Sequence, residues 1–391
     1  MTLSPCSGNV ARRVTPSRAQ PHALNRSLQS APAADIHMQR CDAGYAQGWR
    51  GTPVDPRHYR HARRMEILIA SIAESNGGYL TRADALAYGL RDRDLREAVR
   101  FGLLRRIRHG CYAPAATYDR LSDSQQHCVL VRAVVRRARG KVAVTHESAC
   151  CLRGYAMWGV DLRTVNLTRL DGASSRTEAG VRHHRVRDDL GEQLELQDGM
   201  LVTTAARSVW DALTQVGIES GLVIADSALR ANTSLEPELL RLGEVFRFRP
   251  GSRSGRLALS LADGKAESPG ESRSRYLFWR YSIPRPDLQY ELYDSRGVLV
   301  GRTDFAWLLY RHLGEFDGLV KYRRIEEGDD PSAVVIREKL REDKLRAERF
   351  GMSRLVWSDL SPARAAAVAA SVRSDLEQSR RLYTRNRVFI A

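Results

Sequence analysis

The stretch 301–321, GRTDFAWLLYRHLGEFDGLVK, constrains this chain most, because it sets acidic side chains into an otherwise apolar pattern. The pattern predicts two short β-strands, 303–309 and 313–316, joined by a tight polar turn. Side chains alternate between strand faces, so Glu315 and Asp317 share one face and Phe316 takes the other. Asp304 lies on the first strand, and in a hairpin it comes level with the Glu315/Asp317 face. Carboxylates among Phe305, Ala306, Trp307 and Leu308 are costly to bury unless they are paired or hold a cation. Three of them on one sheet edge have the chemistry of a Mg²⁺ site, with Asp304, Glu315 and Asp317 as candidate ligands. The alternative is a hairpin whose acids are solvated or paired with nearby arginines.

Charge points to the partner. The chain has 62 Lys and Arg against 46 Asp and Glu, a net charge of +16, with the arginines spread along its length. Such a balance favours a polyanion, most simply nucleic acid, over plain solubilising surface. With 391 residues the chain holds two or three domains. The cysteines at 6, 41, 111, 128, 150 and 151 form no CxxC pair and no zinc spacing, which fits a reducing cytoplasm. No apolar run has the roughly 20 residues a membrane span needs, and no signal-peptide core is present.

Along the chain, residues 1–58 lack apolar periodicity and read as a disordered basic N-terminal tail or an over-extended start. Residues 59–115 then predict three short helices and a hairpin. Met65, Leu68, Ile69 and Ile72 recur at helical spacing before Asn76-Gly77-Gly78. Thr81 with Asp84 makes a capping box for a second helix, and Asp92 caps a third. The run LLRRIRHGCYAP follows as two strands around His109-Gly110. This is the layout of a winged helix-turn-helix. Arg93, Arg96 and Arg100 on the third helix and Arg105, Arg106 and Arg108 on the hairpin are candidate DNA contacts, positioning on phosphates or reading guanine edges. The same layout also serves as a scaffold or protein-docking module.

Residues 120–248 read as a mixed α+β middle domain, and 249–270 as a Gly/Ser/Pro-rich linker with a short helix. In the middle domain His146, His183 and His184 with Glu147 can be grouped into a metal site on paper, but they lack tight ligand spacing and read better as hydrogen-bonded structural residues. Beyond the linker a helix over 271–281, strands, a helix over 332–350, a strand RLVW and a closing Ala/Arg-rich helix complete the chain.

Two resemblances follow. Residues about 63–235, through RRIRHGCYAP, VTHESACCLRGY and LVTTAARSVWDAL, resemble the DNA-binding antitoxins of abortive-infection type IV toxin–antitoxin systems. That resemblance implies DNA binding, transcriptional self-repression, a separate cognate toxin protein as partner, and a homodimer as one arrangement. Residues about 271–360 resemble the PD-(D/E)xK nuclease superfamily, in the branch near the very-short-patch repair endonucleases. The matching residues, in order, are Glu271, Asp304, Glu315-Phe-Asp317-Gly318 and Glu338-Lys339-x-Arg341-Glu342-Asp343. The resemblance implies that 271–391 form a restriction-endonuclease-like α/β/α domain.

If that domain is an enzyme, it hydrolyses DNA phosphodiesters with Mg²⁺. Asp304 and Glu315 hold the metal, Asp317 is a third ligand or orients water, and Glu271 supports them from its helix. The superfamily lysine is Asp317 here, so Lys321 or Lys339 takes its role, and Arg341 anchors the duplex. The alternatives are a DNA-binding autorepressor with a relic nuclease fold and a scaffold that sequesters a toxin.

Overall fold

The structure, a computed structural model, describes residues 56–138, 141–186, 190–294, 296–318 and 348–384, with side chains described from Arg63 onward. The chain divides into Met1–Ala62 and Arg63–Ala391. The account below concerns the second part, apart from the start of the first helix. The expected tail, residues 1–58, lies almost wholly outside the described residues.

The first module runs α1 (Pro56–Ser75), β1 (Leu80–Thr81), α2 (Arg82–Ala87), α3 (Asp92–Arg100), β2 (Leu104–Arg108) and β3 (Cys111–Pro114). The predicted capping box of α2 is present: Asp84 N–H donates to Thr81 Oγ1 at 3.1 Å, and Thr81 N–H donates to Asp84 Oδ2 at 2.9 Å. In α3 the cap is one residue earlier than expected, at Arg91, whose N–H donates to Asp94 at 2.8 Å. The three strands form one antiparallel sheet in the order β1-β3-β2. Met65, Ile69 and Ile72 of α1 pack with Leu80, Leu95 and Leu104 into a single core, which is why a module this small holds together.

The middle region has α4 (Ala115–Tyr118), α5 (Asp123–Arg137), β4 (Val142–Val144), α6 (His146–Leu152), β5 (Val165–Arg169), β6 (Arg176–Glu178), β7 (Val181–Arg185), β8 (Leu194–Gln197) and β9 (Met200–Thr203). The strands make a six-stranded mixed sheet, β6-β7-β5-β4-β9-β8. β6 and β8 were not expected from the sequence: both are short edge strands, β6 without an apolar residue and β8 with its alternating Leu196 left exposed. Four helices follow: α7 (Ala205–Leu213), α8 (Ile218–Ala231), α9 (Glu236–Val245) and α10 (Ser252–Leu261).

The expected linker over 249–270 is corrected here. Its helix α10 starts earlier than predicted and inserts Ala258 and Leu259 into the core formed by Trp210, Leu213, Ile224 and Leu242. Gly251 has a left-handed backbone (φ 80°), and a Cβ there would collide with the Thr214 carbonyl. The Gly/Ser content thus serves close helix packing rather than a flexible joint.

The last region comprises α11 (Pro269–Arg280), β10 (Asp287–Tyr293), β11 (Leu299–Trp307), β12 (His312–Asp317), β13 (Gly351–Val356) and α12 (Ala365–Thr384). The sheet order is β10-β11-β12-β13: the first three strands form an antiparallel meander, and β13 lies parallel to β12. One face, with Phe305, Trp307 and Phe316, packs on α11 and α12 through Phe278, Val372 and Leu376. The other carries Leu292, Ala306, Leu313 and Phe350. The turn between β11 and β12 is Leu308–Tyr310 in a 3-10 helix followed by left-handed Arg311, less polar than expected. The expected helix over 332–350 lies outside the described residues except for 348–350, which form a turn and its exit.

Buried charges join this region to the middle helices. Arg275 meets Asp226 at 2.6 Å with both side chains buried, and Arg273 meets Glu219 at 2.6 Å while lying 4.0 Å from the Trp158 ring centroid. Trp158 in turn stacks on Trp357 at 5.1 Å.

Candidate nucleic-acid interface and carboxylate cluster

Helix α3 buries Leu95 and Ala98 against the module core, which turns Arg93, Arg96 and Arg100 outward into solvent. Arg93 lies 3.7 Å from Glu97, four residues on. Arg96 and Arg100 have no ion-pair partner among the described residues, so their guanidinium donors are available to an external anion. On the hairpin, Arg105 is held by Asp119 in a two-pronged contact, with Nε at 2.9 Å and Nη2 at 2.7 Å. Arg106 reaches His109 Nδ1 at 3.0 Å, and Arg108 is half-buried. The expected six-arginine surface is therefore uneven. The helix presents the freest cations, and Arg105 must leave Asp119 to meet a phosphate. Arg341 lies outside the described residues.

The second constellation gathers where α11 begins. Ser268 caps that helix, receiving Glu271 N–H at 3.2 Å, and donates its hydroxyl to Glu271 Oε1 at 2.8 Å. Glu267 N–H donates to Glu271 Oε2 at 2.9 Å. Gln289 Nε2 donates to the same oxygen at 2.8 Å and reaches Asp304 Oδ1 at 3.4 Å. Burial pushes the Glu271 carboxyl above the usual range, and the charge of Asp304 pushes the same way. Gly270 precedes this acid, and a Cβ there would run into the Phe316 ring, so only glycine lets the helix start approach β12.

Asp304 accepts from Phe316 N–H at 2.8 Å through Oδ2. The β11–β12 register pairs Phe305 with Gly314, which sets Asp304 opposite Glu315 on one face. Glu315 is buried and lies 3.5 Å from Arg354 Nη2 of β13. Asp317 is next but one on β12, and its Oδ1 is buried without a hydrogen-bond partner among the described residues. Among the described residues, however, no group of three or more His, Cys, Asp or Glu side chains is gathered to hold a metal ion. The expected three-carboxylate convergence of Asp304, Glu315 and Asp317 is therefore not present. What the elements bring together is Glu271, Gln289 and Asp304, with Glu315 meeting Arg354 instead. Lys321 and Lys339, the candidate lysines, lie outside the described residues.

Gln289 was not singled out in the sequence. It reads as one more polar residue in the strand LQYELY, yet its backbone is left-handed (φ 52°). That conformation breaks the alternation of β10. Leu288 packs with the α11/α12 face, whereas Tyr290 and Leu292 pack on the opposite one. The break lets one amide sit between the helix start and the acidic face. A non-glycine residue held so is uncommon, and its strain has to be sustained by the surrounding contacts.

The histidines of the middle region do not make the metal cluster drawn from sequence. His146 and His184 stack at 3.9 Å, and Glu147 accepts from Asn166 Nδ2 at 2.9 Å.

Fold and side chains together define a modular α+β protein with a basic helix-and-hairpin module ahead of two further sheets. Residues 68–115 match the family model described as transcriptional regulator, AbiEi antitoxin. An uncharacterized protein of Mycobacterium tuberculosis, found in strains CDC 1551 and H37Rv, is 30% identical over 239 residues, which is 60% of this chain and 83% of that protein. The chain belongs to the same family as this mycobacterial protein. No helix among the described residues is long and apolar enough to cross a membrane.

Proposed function

We propose that the protein is a double-stranded-DNA-binding transcriptional regulator of the antitoxin type, paired with a separate toxin protein. The single observation that carries this reading is the exposed arginine row on α3, in a module whose residues match the antitoxin regulator family. The order α1-β1-α2-α3-β2-β3 supports a winged helix-turn-helix reading, in which the third helix would enter the major groove and the hairpin would lie along the backbone. Arg96 and Arg100 are placed to contact base edges or phosphates, and Arg106 to grip the flanking strand. Footprinting on DNA from upstream of its own coding region tests this. A protected site lost in Arg96→Ala is expected. Affinity no greater than for a scrambled duplex at the same salt would overturn it.

A second reading, Mg²⁺-dependent phosphodiester hydrolysis by the last region, is favoured by the level placement of Asp304 and Glu315. It is favoured too by the buried oxygen of Asp317, unpartnered among the described residues. Two protein carboxylates suffice for Mg²⁺, which usually keeps several waters. Asp304 and Glu315 would hold the ion, and Gln289 would fix Glu271 and Asp304 relative to one another. When bound, the ion would acidify a water and offset charge on the phosphate. Nicking of supercoiled plasmid with Mg²⁺ or Mn²⁺, absent with EDTA and in the Asp304→Ala/Glu315→Ala double variant, is expected on this reading. Intact plasmid with either ion leaves a DNA-binding regulator on a relic nuclease fold.

A further inference from the structure

A cavity of about 180 Å³ lies in the middle region, well away in sequence from both constellations above. Its wall is drawn from the starts and ends of several elements: His146 opens α6, His184 and Arg185 close β7, and Arg207, Trp210 and Asp211 come from α7. The volume is several times the ~30 Å³ share of one liquid water.

Hydrogen bonding fixes what this wall offers. Asn166 spends its amide N–H on Glu147, so its Oδ1 is left to accept from His184 Nε2 at 2.9 Å. Thr145 Oγ1 accepts from Thr168 Oγ1 at 3.1 Å, which leaves its own proton for His146 Nδ1 at 2.9 Å. His146 therefore carries its ring proton on Nε2, as a donor. Burial holds both imidazoles well below the ordinary histidine value, each at about 3, so they are uncharged at neutral pH. His146 itself is held at a left-handed φ of 54°.

The rest of the wall is rich in donors. Arg207 uses Nε on Asp211 at 2.8 Å and Nη1 on Gln193 at 2.5 Å. Arg185 is exposed, and Asp211 is the single acid on the wall. The wall thus combines guanidinium groups and a neutral imidazole donor around a small space.

We propose that this cavity binds a small oxyanion, the phosphate or carboxylate group of a soluble effector, with Arg185, Arg207 and the His146 Nε2–H as its donors. Guanidinium groups match both oxyanions through charge-assisted hydrogen bonds. The assignment is independent of DNA contact by the N-terminal module.

Thermal denaturation of the full-length protein with inorganic phosphate, succinate or chloride at matched ionic strength tests it. A ligand that binds the folded state alone raises Tm saturably. A saturable rise with phosphate or succinate, absent with chloride, is expected. A response to phosphate alone assigns a phosphorylated effector, and one to succinate alone a carboxylate. Arg185→Ala changes an exposed residue and should weaken binding about tenfold, while Arg96→Ala leaves it unchanged. No saturable rise with either anion, or a rise that survives Arg185→Ala, overturns the proposal.

Discussion

Gln289 donates its side-chain amide to Glu271 at 2.8 Å and reaches Asp304 at 3.4 Å, so one neutral group holds a helix carboxylate beside a strand carboxylate. Without it, two acids would face each other across a partly buried gap. Gln289→Ala should lower unfolding free energy by about 1–2 kcal/mol, the cost of leaving a buried acceptor under-satisfied. Gln289→Gly removes the same amide but relieves the left-handed backbone, so it should be less destabilising than the alanine variant. Urea unfolding of the two variants reads this difference. Equal losses would show that backbone strain at residue 289 is negligible.

The arginine row on α3 makes a salt-dependent prediction. Each phosphate contact contributes about one unit to the slope of log affinity against log salt. Arg96→Ala should weaken duplex binding and flatten that slope by about one, whereas Arg105→Ala should change it less, because Arg105 is already engaged by Asp119. Fluorescence anisotropy across a salt series separates them, and equal slopes for both variants would contradict the uneven interface described above.

Acid lability follows from the buried histidines. His146 and His184 are held at about 3 and His312 at about 4, in each case chiefly by burial. In the unfolded chain each titrates near the ordinary value of about 6.5. The folded value is depressed, so the stability they confer is complete above about pH 6.5 and is lost as pH falls towards 4 and then 3. Each protonation contributes about 1.4 kcal/mol per pH unit within that window. Asp211, raised by burial to about 6, acts with the opposite sign between about 4 and 6 and offsets part of the loss. Burial also lowers His127 and His183 and raises Glu147, Asp226 and Glu271, so five histidines act against four acids, and Tm should drop from about pH 7 to about pH 5. A flat or rising Tm across that range would mean that these rings are not buried neutral.

The Arg275–Asp226 pair, at 2.6 Å and almost fully buried, couples the last region to helix α8. Asp226 also accepts from Asp263 N–H at 2.7 Å, and Arg275 reaches the Leu261 carbonyl. Removing one partner of a buried pair leaves an uncompensated charge, so Arg275→Met should cost about 3–5 kcal/mol. Adding Asp226→Asn should restore much of that loss. Chemical denaturation of the single and double variants measures the coupling, and additive losses would show that the pair contributes nothing jointly.

Much of this protein was legible before its tertiary structure. Apolar spacing and caps located α1, α2, α5, α7 and α8 within a few residues, because a helix face and its capping box are written in contiguous sequence. The β11–β12 hairpin was equally readable, since strand alternation is a local rule. Edge strands β6 and β8 escaped notice because exposed edges bury little and need no apolar rhythm.

Tertiary packing decided the rest. Whether residues 249–270 were linker or core depended on Leu213, Thr214 and Trp210 lying across from them, which composition does not encode. Gln289 entered the acidic cluster only through a left-handed backbone that reverses its strand's facing. The middle-region cavity depends on partners far apart in the chain, such as His146 stacking on His184. The local chain determined which elements form and which face each buries. Only the folded molecule decided which polar groups meet, because desolvation and hydrogen-bond geometry act between residues that sequence distance keeps apart.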